Sequence, residues 1–424
     1  MSDLNRYRGR SPSYRRAAPS DNIYRTPLLI TILGLAVIAA VFLCAWAGVF
    51  GRSVPNTAAS INALQAVAHR ITPDEGRQLM RDMKLDSIIE DMTTQQKVGQ
   101  LLLLRSHNIP DEQFRAEISD TCAGGVVLFA DDIKGKDSAQ LTEYIRSLQQ
   151  SSDGNMLICV DEEGGDVVRV SSNRNLRSAS FRSPRRLYAE GGMELIASDA
   201  TEKARFLRQF GFNVNFAPVA DVVTLRDAMM YRRAFGGDAA STAEFVRTVV
   251  TASEAEGVGT CVKHFPGYGN TSGDTHNGVV TLDTTLEQLR ENDFIPFAEG
   301  IEAGCGAVMI THTVMKGIDP DHPATMSPEV IGLLREELSF EGVTVSDGMD
   351  MGAIRAYSGG RDVCVTAFLA GVDLMCTPDD GRATHRALCD AVADGTISME
   401  QLDAAVRRII NWKLDLGLYA ETAA

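Results

Sequence analysis

The residues best able to do chemistry in this chain lie between Lys263 and His276, in the run KHFPGYGNTSGDTH. Asp274 and His276 are two apart, so an extended segment aims both side chains to one side. A carboxylate beside an imidazole fixes its tautomer and raises its pKa, which suits a group that gives and takes protons near neutral pH. Taken alone, a DxH pair is more often a polar surface loop with an accidental histidine. Its context reverses that weighting. Lys263 and His264 end a short apolar run containing Val258, Cys261 and Val262, bounded by glycines, which reads as a buried parallel strand. Pro266, Gly267, Gly269 and Gly273 then oppose helix and strand, placing Asp274 and His276 on a mobile loop beyond the strand end.

The elements that must position these groups form a repeating pattern. Eight candidate strands occur at 100–105, 124–129, 156–161, 212–218, 258–264, 307–312, 342–347 and 372–377. Between them lie stretches of helical periodicity such as SAQLTEYIRSLQQ, MELIASDATEKARFLRQF and STAEFVRTVVTASEAEG. Alternating strand and helix predicts a parallel sheet, and eight such units predict a TIM (β/α)8 barrel, with a doubly wound open sheet as the alternative. Asp161, Lys263, His264, His312 and Asp347 all fall at C-terminal strand ends, the face that carries active sites in such barrels.

The pattern KHFPGxGxTSxDxH resembles the signature of glycoside hydrolase family 3 β-N-acetylglucosaminidases of the NagZ type, with Tyr268 where many relatives carry His. Four further stretches fit. VDEEGGDVVRV (160–170) is similar to the third-strand motif, Arg232–Gly236 to the RSFG segment, VTVSDGMDM (343–351) to the seventh-strand motif, and VRRIINWKLDLGLY to the closing helix. The resemblance covers roughly residues 88–420. It implies a retaining exo-glycosidase in which Asp347 is the nucleophile and His276, oriented by Asp274, is the acid/base. It also implies that Asp161, Arg169, Arg233, Lys263 and His264 bind a terminal N-acetylglucosamine, with no metal or cofactor. The nearest neighbour within the family is a β-glucosidase, which usually takes its acid/base from a second domain. Water and phosphate both remain open as acceptor.

Each residue also has a plainer role open to it. Asp347 could cap the next helix. Asp161, with Glu162 and Glu163, could form a solvated acidic turn. Lys263 and Arg169 could be structural ion-pair partners, and His312 a hydrogen-bonded core histidine. One barrel mouth collecting all of them favours the catalytic reading. Two other classes compete. A metal-dependent amidohydrolase barrel would use Lys263, His264, His312 and Asp347, but the HxH pair expected after its first strand is replaced by Arg105-Ser106-His107. A non-catalytic sugar-binding wall protein would not need the nucleophile and dyad positions. His69, His107, His322 and His385 are read as ordinary structural histidines.

Composition sets the remaining bounds. The 424 residues carry 23% charged and 44% hydrophobic residues, the proportions of a globular protein. The net charge of −15 argues against nucleic acid as a partner. Residues 1–26 run against that balance, with six arginines and two aspartates, and read as a disordered basic cytoplasmic tail. Pro27–Phe50 is 24 residues without a charge. At about 1.5 Å per residue a helix of that length crosses a bilayer. The preceding arginines predict a single-pass anchor at the cell membrane, N-terminus cytoplasmic and catalytic domain extracytoplasmic. Cleavage near Ala45-Trp46-Ala47, giving a secreted protein, is the alternative. Residues 51–84 read as a spacer of short helical pieces and 85–420 as one catalytic domain, expected to be monomeric. The cysteines at 122, 159, 261, 305, 364, 376 and 389 form no metal-ligand spacing, and their odd number excludes complete pairing. An outward enzyme of this family would meet peptidoglycan-derived glycans, and Arg174, Arg177, Arg182, Arg185 and Arg186 form a basic loop that could attract their carboxylates.

Overall fold

A computed structural model describes residues 72–419, apart from Asp153, Ala356 and residues 358–361. The basic tail, the uncharged 24-residue span and most of the spacer therefore lie outside the described residues. Among the described residues no helix is long and apolar enough to cross a membrane. The chain divides into two compact units between Ser87 and Ile88.

The spacer is more helical than expected at its end: α1 runs unbroken over Pro73–Glu90. The sequence marks its start. The Glu75 carboxylate accepts from the Thr72 amide at 2.7 Å, and the Glu75 amide donates back to the Thr72 hydroxyl at 3.2 Å. The same reciprocal box, Thr93 with Gln96, opens α2 (Thr94–Gln100) at the beginning of the second unit.

That unit is an α/β barrel. Its strands are β1 (Leu102–Leu104), β2 (Gly125–Val127), β3 (Leu157–Val160), β4 (Val214–Asn215), β5 (Gly259–Phe265), β7 (Ala307–Ile310), β9 (Val343–Ser346) and β10 (Met375–Cys376). They pair in parallel in the order β10-β1-β2-β3-β4-β5-β7-β9. The ring closes between β9 and β10, where the Asp373 and Leu374 amides both donate to the Thr344 carbonyl. One parallel bridge joins Val345 to Leu374, and the Ser346 amide donates to the Leu374 carbonyl at 2.9 Å. A separate parallel pair, β6 (Thr281–Leu282) with β8 (Val314–Met315), ties together the loops that follow β5 and β7.

All eight barrel strands fall within the expected segments or one residue beyond, but most are shorter. At β4 the reason is visible. Asn213 accepts from the Ile158 amide and donates to the Met156 carbonyl, and Asn215 does the same with the amide and carbonyl of Glu162. Side-chain amides thus add to the backbone bonds of the β3–β4 ladder and pair peptide groups at its two ends. Every residue of β1, β2, β3, β5, β7 and β9 is buried, as a sheet covered on both faces requires.

Helices α3 (Asp111–Thr121), α4 (Ser138–Gln149), α5 (Pro184–Arg208), α6 (Ala239–Ala255), α7 (Phe294–Glu302), α8 (Val363–Ala370), α9 (Gly381–Ala393) and α10 (Met399–Asp415) cover the barrel. α5 begins nine residues earlier than its periodicity suggests, because Pro184 starts a first piece that kinks at Gly191-Gly192. α10 seals the floor. Its Trp412 lies where a Cβ on Gly306 would come within 1.9 Å of the indole nitrogen. Two residues whose glycine matters here, Gly259 and Gly306, thus let an aromatic plug approach the backbone at the strand starts.

Candidate active site

The barrel mouth is built from charges that the strand ends deliver in complementary pairs. Adjacent residues on a regular strand face opposite ways. Along β5 the register against β7 shifts between Lys263 and Phe265, and both Lys263 and His264 reach groups beyond β3 and β4. The Lys263 ammonium donates to Asp161 at 2.6 Å and lies 2.7 Å from Glu163. Arg233 grips Glu163 with two nitrogens, at 2.6 and 3.0 Å, and its Nη2 lies 3.4 Å from Nε2 of His264. Burial opposes every one of these charges, but their neighbours prevail. Arg233 and Lys263 hold the Glu163 carboxyl well below the usual range, and the carboxylates keep Arg233 and Lys263 protonated beyond their ordinary values.

His264 is oriented from behind. Its Nδ1 is 2.7 Å from Asp221, a fully buried carboxylate that also accepts the Tyr268 amide at 2.7 Å. Asp347 follows β9 directly. Its amide donates to the Ile310 carbonyl, and one of its oxygens accepts the Gly348 amide at 2.8 Å. Among the described residues no protein donor reaches its other oxygen. Burial works against the Asp347 charge, yet the fields of His264, His312 and His276 and the Gly348 amide hold its pKa below the ordinary carboxylate value. The carboxylate is therefore ionised and has one oxygen open.

His312 sits beneath it with both ring nitrogens engaged. A carbonyl only accepts, so Nε2 donates to Gly348 at 2.9 Å and Nδ1 takes the Thr325 hydroxyl at 2.7 Å. Burial pushes its pKa down. The plain reading of His312 as a hydrogen-bonded core histidine holds, with the addition that it supports the Asp347 turn.

Asp274 and His276 form the expected pair. Nδ1 of His276 is 2.7 Å from Asp274, which also accepts the His276 amide at 3.0 Å. The imidazole is otherwise 60% exposed and open to solvent. Burial opposes the Asp274 charge, but the His276 amide and imidazole keep its pKa low.

The loop beyond the strand end is tied to its surroundings at several points. Residues 267–280 are fastened along their length. The Asn270 side chain accepts the Thr224 and Leu225 amides, the Thr271 carbonyl accepts from Met229, the Thr275 carbonyl from Ala353, and the Val280 carbonyl from Val314. Its glycines read as flexibility in the sequence, but Gly267 (φ 132°) serves a close approach. A Cβ there would stand 2.6 Å from the Asp293 carboxylate.

Two further expectations change. The acidic turn after β3 is not solvated, for Glu162 and Glu163 are both buried. Glu162 accepts the amides of Arg169 and Val170 and the hydroxyl of Ser171, closing the turn that carries Arg169. The basic loop is partly paired, five arginines meeting two carboxylates. Arg177 pairs with Glu202, Arg182 and Arg186 share Glu190, and Arg185 stacks on the Tyr231 ring. Arg169 remains a candidate ligand, because its Nε is buried without a hydrogen-bond partner.

Glu163 and Asp221 are the groups that sequence reasoning missed. A signal existed for each. Two buried cations at one mouth require more than Asp161 as counter-charge, and Asp221 is a lone carboxylate inside the apolar run VADVV. The cysteines follow expectation: Cys159, Cys261 and Cys376 are buried in strands, and burial pushes their thiols up.

Comparison with known proteins places the chain among glycoside hydrolases. Residues 93–412 match the glycosyl hydrolase family 3 N-terminal domain. A beta-hexosaminidase A of Pseudoalteromonas piscicida is 30% identical over 77% of this chain, which spans 62% of that relative's length. A beta-hexosaminidase of Xylella fastidiosa strain M23 is 33% identical over 68% of this chain and 90% of its own. Among solved structures, a family 3 beta-N-acetylglucosaminidase from Paenibacillus sp. FPU-7 superposes with a TM-score of 0.72 at 32% identity, covering 78% of this chain and 64% of its own. A beta-N-acetylhexosaminidase from Beutenbergia cavernae gives 0.65 at 28% identity, covering 76% and 99%.

Proposed function

The chain belongs to glycosyl hydrolase family 3, and from that membership we propose that it is a retaining exo-β-N-acetylglucosaminidase. The observation that carries the mechanism is an ionised Asp347 with one open oxygen, lying in the field of an Asp274-oriented imidazole at the same mouth. In the first step the open oxygen of Asp347 attacks the anomeric carbon, and the bond to the leaving oxygen breaks as His276 gives that oxygen its proton. A covalent glycosyl-Asp347 ester results. In the second step His276, now neutral, takes a proton from water as the water oxygen attacks the same carbon and releases Asp347. Asp274 keeps Nδ1 protonated throughout, so the exchange occurs at Nε2.

Lys263, His264, Arg169, Arg233 and Asp161 hold the terminal sugar. The buried, unpartnered Nε of Arg169 supports this role, as does the position of Asp161, which gives one oxygen to Lys263 and sits at the edge of the mouth. The substrate class we favour is peptidoglycan-derived glycan ending in β-linked N-acetylglucosamine. That preference rests on the uncharged span at 27–50 and the arginines before it, which would put the enzyme outside a cell membrane.

The test is an assay of aryl β-N-acetylglucosaminide against aryl β-glucoside, each with and without phosphate. Preference for the N-acetylated substrate with no effect of phosphate is expected. Equal turnover of the glucoside would remove the acetamido specificity, and a phosphate-dependent rate would replace water as the acceptor. Protease treatment of intact spheroplasts tests location, since a barrel protected from digestion would withdraw the wall-facing role.

A further inference from the structure

Tyr268 stands apart from the family pattern by residue type and sits at the base of the loop that carries Asp274 and His276. Its ring is buried among Val219, Val223, Ala228, Met230 and Ala234. Its hydroxyl does not end in that apolar pocket but emerges against the loop's own backbone. It accepts the Thr275 amide at 2.9 Å and lies 3.3 Å from both the Gly273 carbonyl and the Thr275 hydroxyl, either of which can take its proton. Thr275 is the residue between Asp274 and His276. One phenol oxygen therefore holds the backbone on which both members of the pair are mounted.

The same residue is held at its other end by the sugar-facing side of the mouth. Its amide donates to Oδ1 of Asp221, whose Oδ2 binds Nδ1 of His264, and its ring meets the His264 ring edge-on at 6.0 Å. Asp221 is thus a shared node. One of its oxygens orients His264, and the other fixes the residue that fixes the Asp274–His276 segment.

We propose that Tyr268 is a positioning residue for proton transfer, holding the His276–Asp274 pair in place before substrate arrives. This rests on the reading of that pair as acid/base. Its physical basis is that a proton donor acts only within a narrow range of distance and angle, while an exposed loop left to itself samples many. Among the described residues the exposed His276 imidazole has one side-chain partner, Asp274, so the accuracy of its placement depends on the backbone beneath it.

Removing only the hydroxyl tests this. Tyr268→Phe keeps the ring in its pocket, and kcat/KM reports all steps through the first bond cleavage. On a glycoside with a poor leaving group, which needs protonation, the expected loss is about 10- to 100-fold, the scale of a displacement on the order of 1 Å. On an aryl glycoside with a good leaving group the loss should stay within about 3-fold, since little protonation is required. Tyr268→Leu, which keeps apolar bulk in the pocket and has no polar atom to bond the loop, should show the same selectivity and serves if the Phe variant does not fold. Equal losses on both substrates, or none, in the folded variants would overturn the proposal, since a merely structural role has no reason to distinguish leaving groups. The parallel variant His276→Ala separates the two layers. If it is selective while the Tyr268 variants are not, only the positioning role falls; if it is not selective, the acid/base reading falls and this proposal with it.

Discussion

Lys263 and Lys413 are both buried, one at the mouth of the barrel and one at its floor, and their surroundings treat the charge in opposite ways. Lys263 meets two carboxylates, at 2.6 and 2.7 Å. Lys413 meets one neutral group, the Gln100 side-chain oxygen at 2.6 Å. Burial acts against the ammonium in both places. At the mouth Asp161 and Glu163 overcome it and the pKa rises, whereas at the floor nothing does and the pKa falls to about 7. Depth alone therefore does not decide whether a buried lysine is charged; its counter-charges do. The mouth keeps a dense set of ionised groups, Asp161, Glu163, Arg233 and Asp347 among them, and leaves some of their atoms open. The floor closes on Trp412 and a lysine near neutrality. If this contrast is right, changes at the mouth should act on turnover and changes at the floor on stability.

The largest effect should come from Asp347. Asp347→Asn keeps the shape and the Gly348 contact but removes the charge that attacks carbon. A loss in kcat on the order of 10³-fold or more is expected, because no neighbouring carboxylate has an open oxygen in the same place. Substrate binding, measured by calorimetry or fluorescence, should persist. Near-normal turnover would move the nucleophile elsewhere and break the mouth's side of the comparison at once.

Next in size is His276. His276→Ala should lower kcat/KM on poor leaving groups by about 10²-fold or more and on activated aryl glycosides far less. Asp274→Ala should follow the same trend more weakly, because it orients the imidazole without touching the substrate. Equal losses on both substrate types would make His276 a sugar ligand.

How much of this was visible in the chain beforehand differs between elements for physical reasons. The barrel was legible because its strands are covered on both faces and so read as short apolar runs at regular intervals. The caps at Thr72 and Thr93 were legible because they are made within four residues. Asp347, His276 and Lys263 stood out by type and position. Glu163 and Asp221 did not, since their function is set by partners 70 and 43 residues away in sequence. The loop's attachments were hidden for the same reason: its glycines signal freedom locally, while the amides of Thr224, Met229, Val314 and Ala353 that it accepts come from elsewhere.

Lys263 tests whether the mouth's ion pairs are more than scaffolding. Lys263→Met leaves Asp161 and Glu163 with Arg233 as the only close guanidinium or ammonium partner among the described residues. Removing one member of a buried ionic set costs about 3–5 kcal/mol of stability. Turnover should fall too, by about 10-fold or more in kcat/KM, since two sugar-facing groups lose their geometry. Because the folded pKa of Lys263 is raised, its contribution to stability is complete below the ordinary lysine value and fades only as pH rises through the folded one. A variant that melts earlier yet hydrolyses at the parental rate would reduce this lysine to scaffolding and erase the distinction from the floor.

Lys413 should have the smallest effect on catalysis and the most specific effect on stability. Its folded pKa of about 7 lies below the ordinary lysine value, so between pH 7 and about 10 the unfolded chain binds more protons than the folded one. The Lys413 contribution to stability then rises with pH through that window, the reverse of the Lys263 case, and is absent below pH 7. Lys413→Met keeps the length of the stem and removes the titrating amine. At pH 7 two effects oppose each other. The cost of burying the amine disappears, while the Gln100 oxygen loses its donor, at about 1–3 kcal/mol. The net change in stability should therefore be small, and kcat/KM should stay within about 2-fold of the parent, because Lys413 touches nothing at the mouth. What should change is the slope between pH 7 and about 8, below the range where unfolded thiols ionise: there the variant's Tm should rise less with pH than the parent's. A variant that climbs as steeply as the parent would place the titrating group elsewhere, and the floor could no longer be contrasted with the mouth through this lysine.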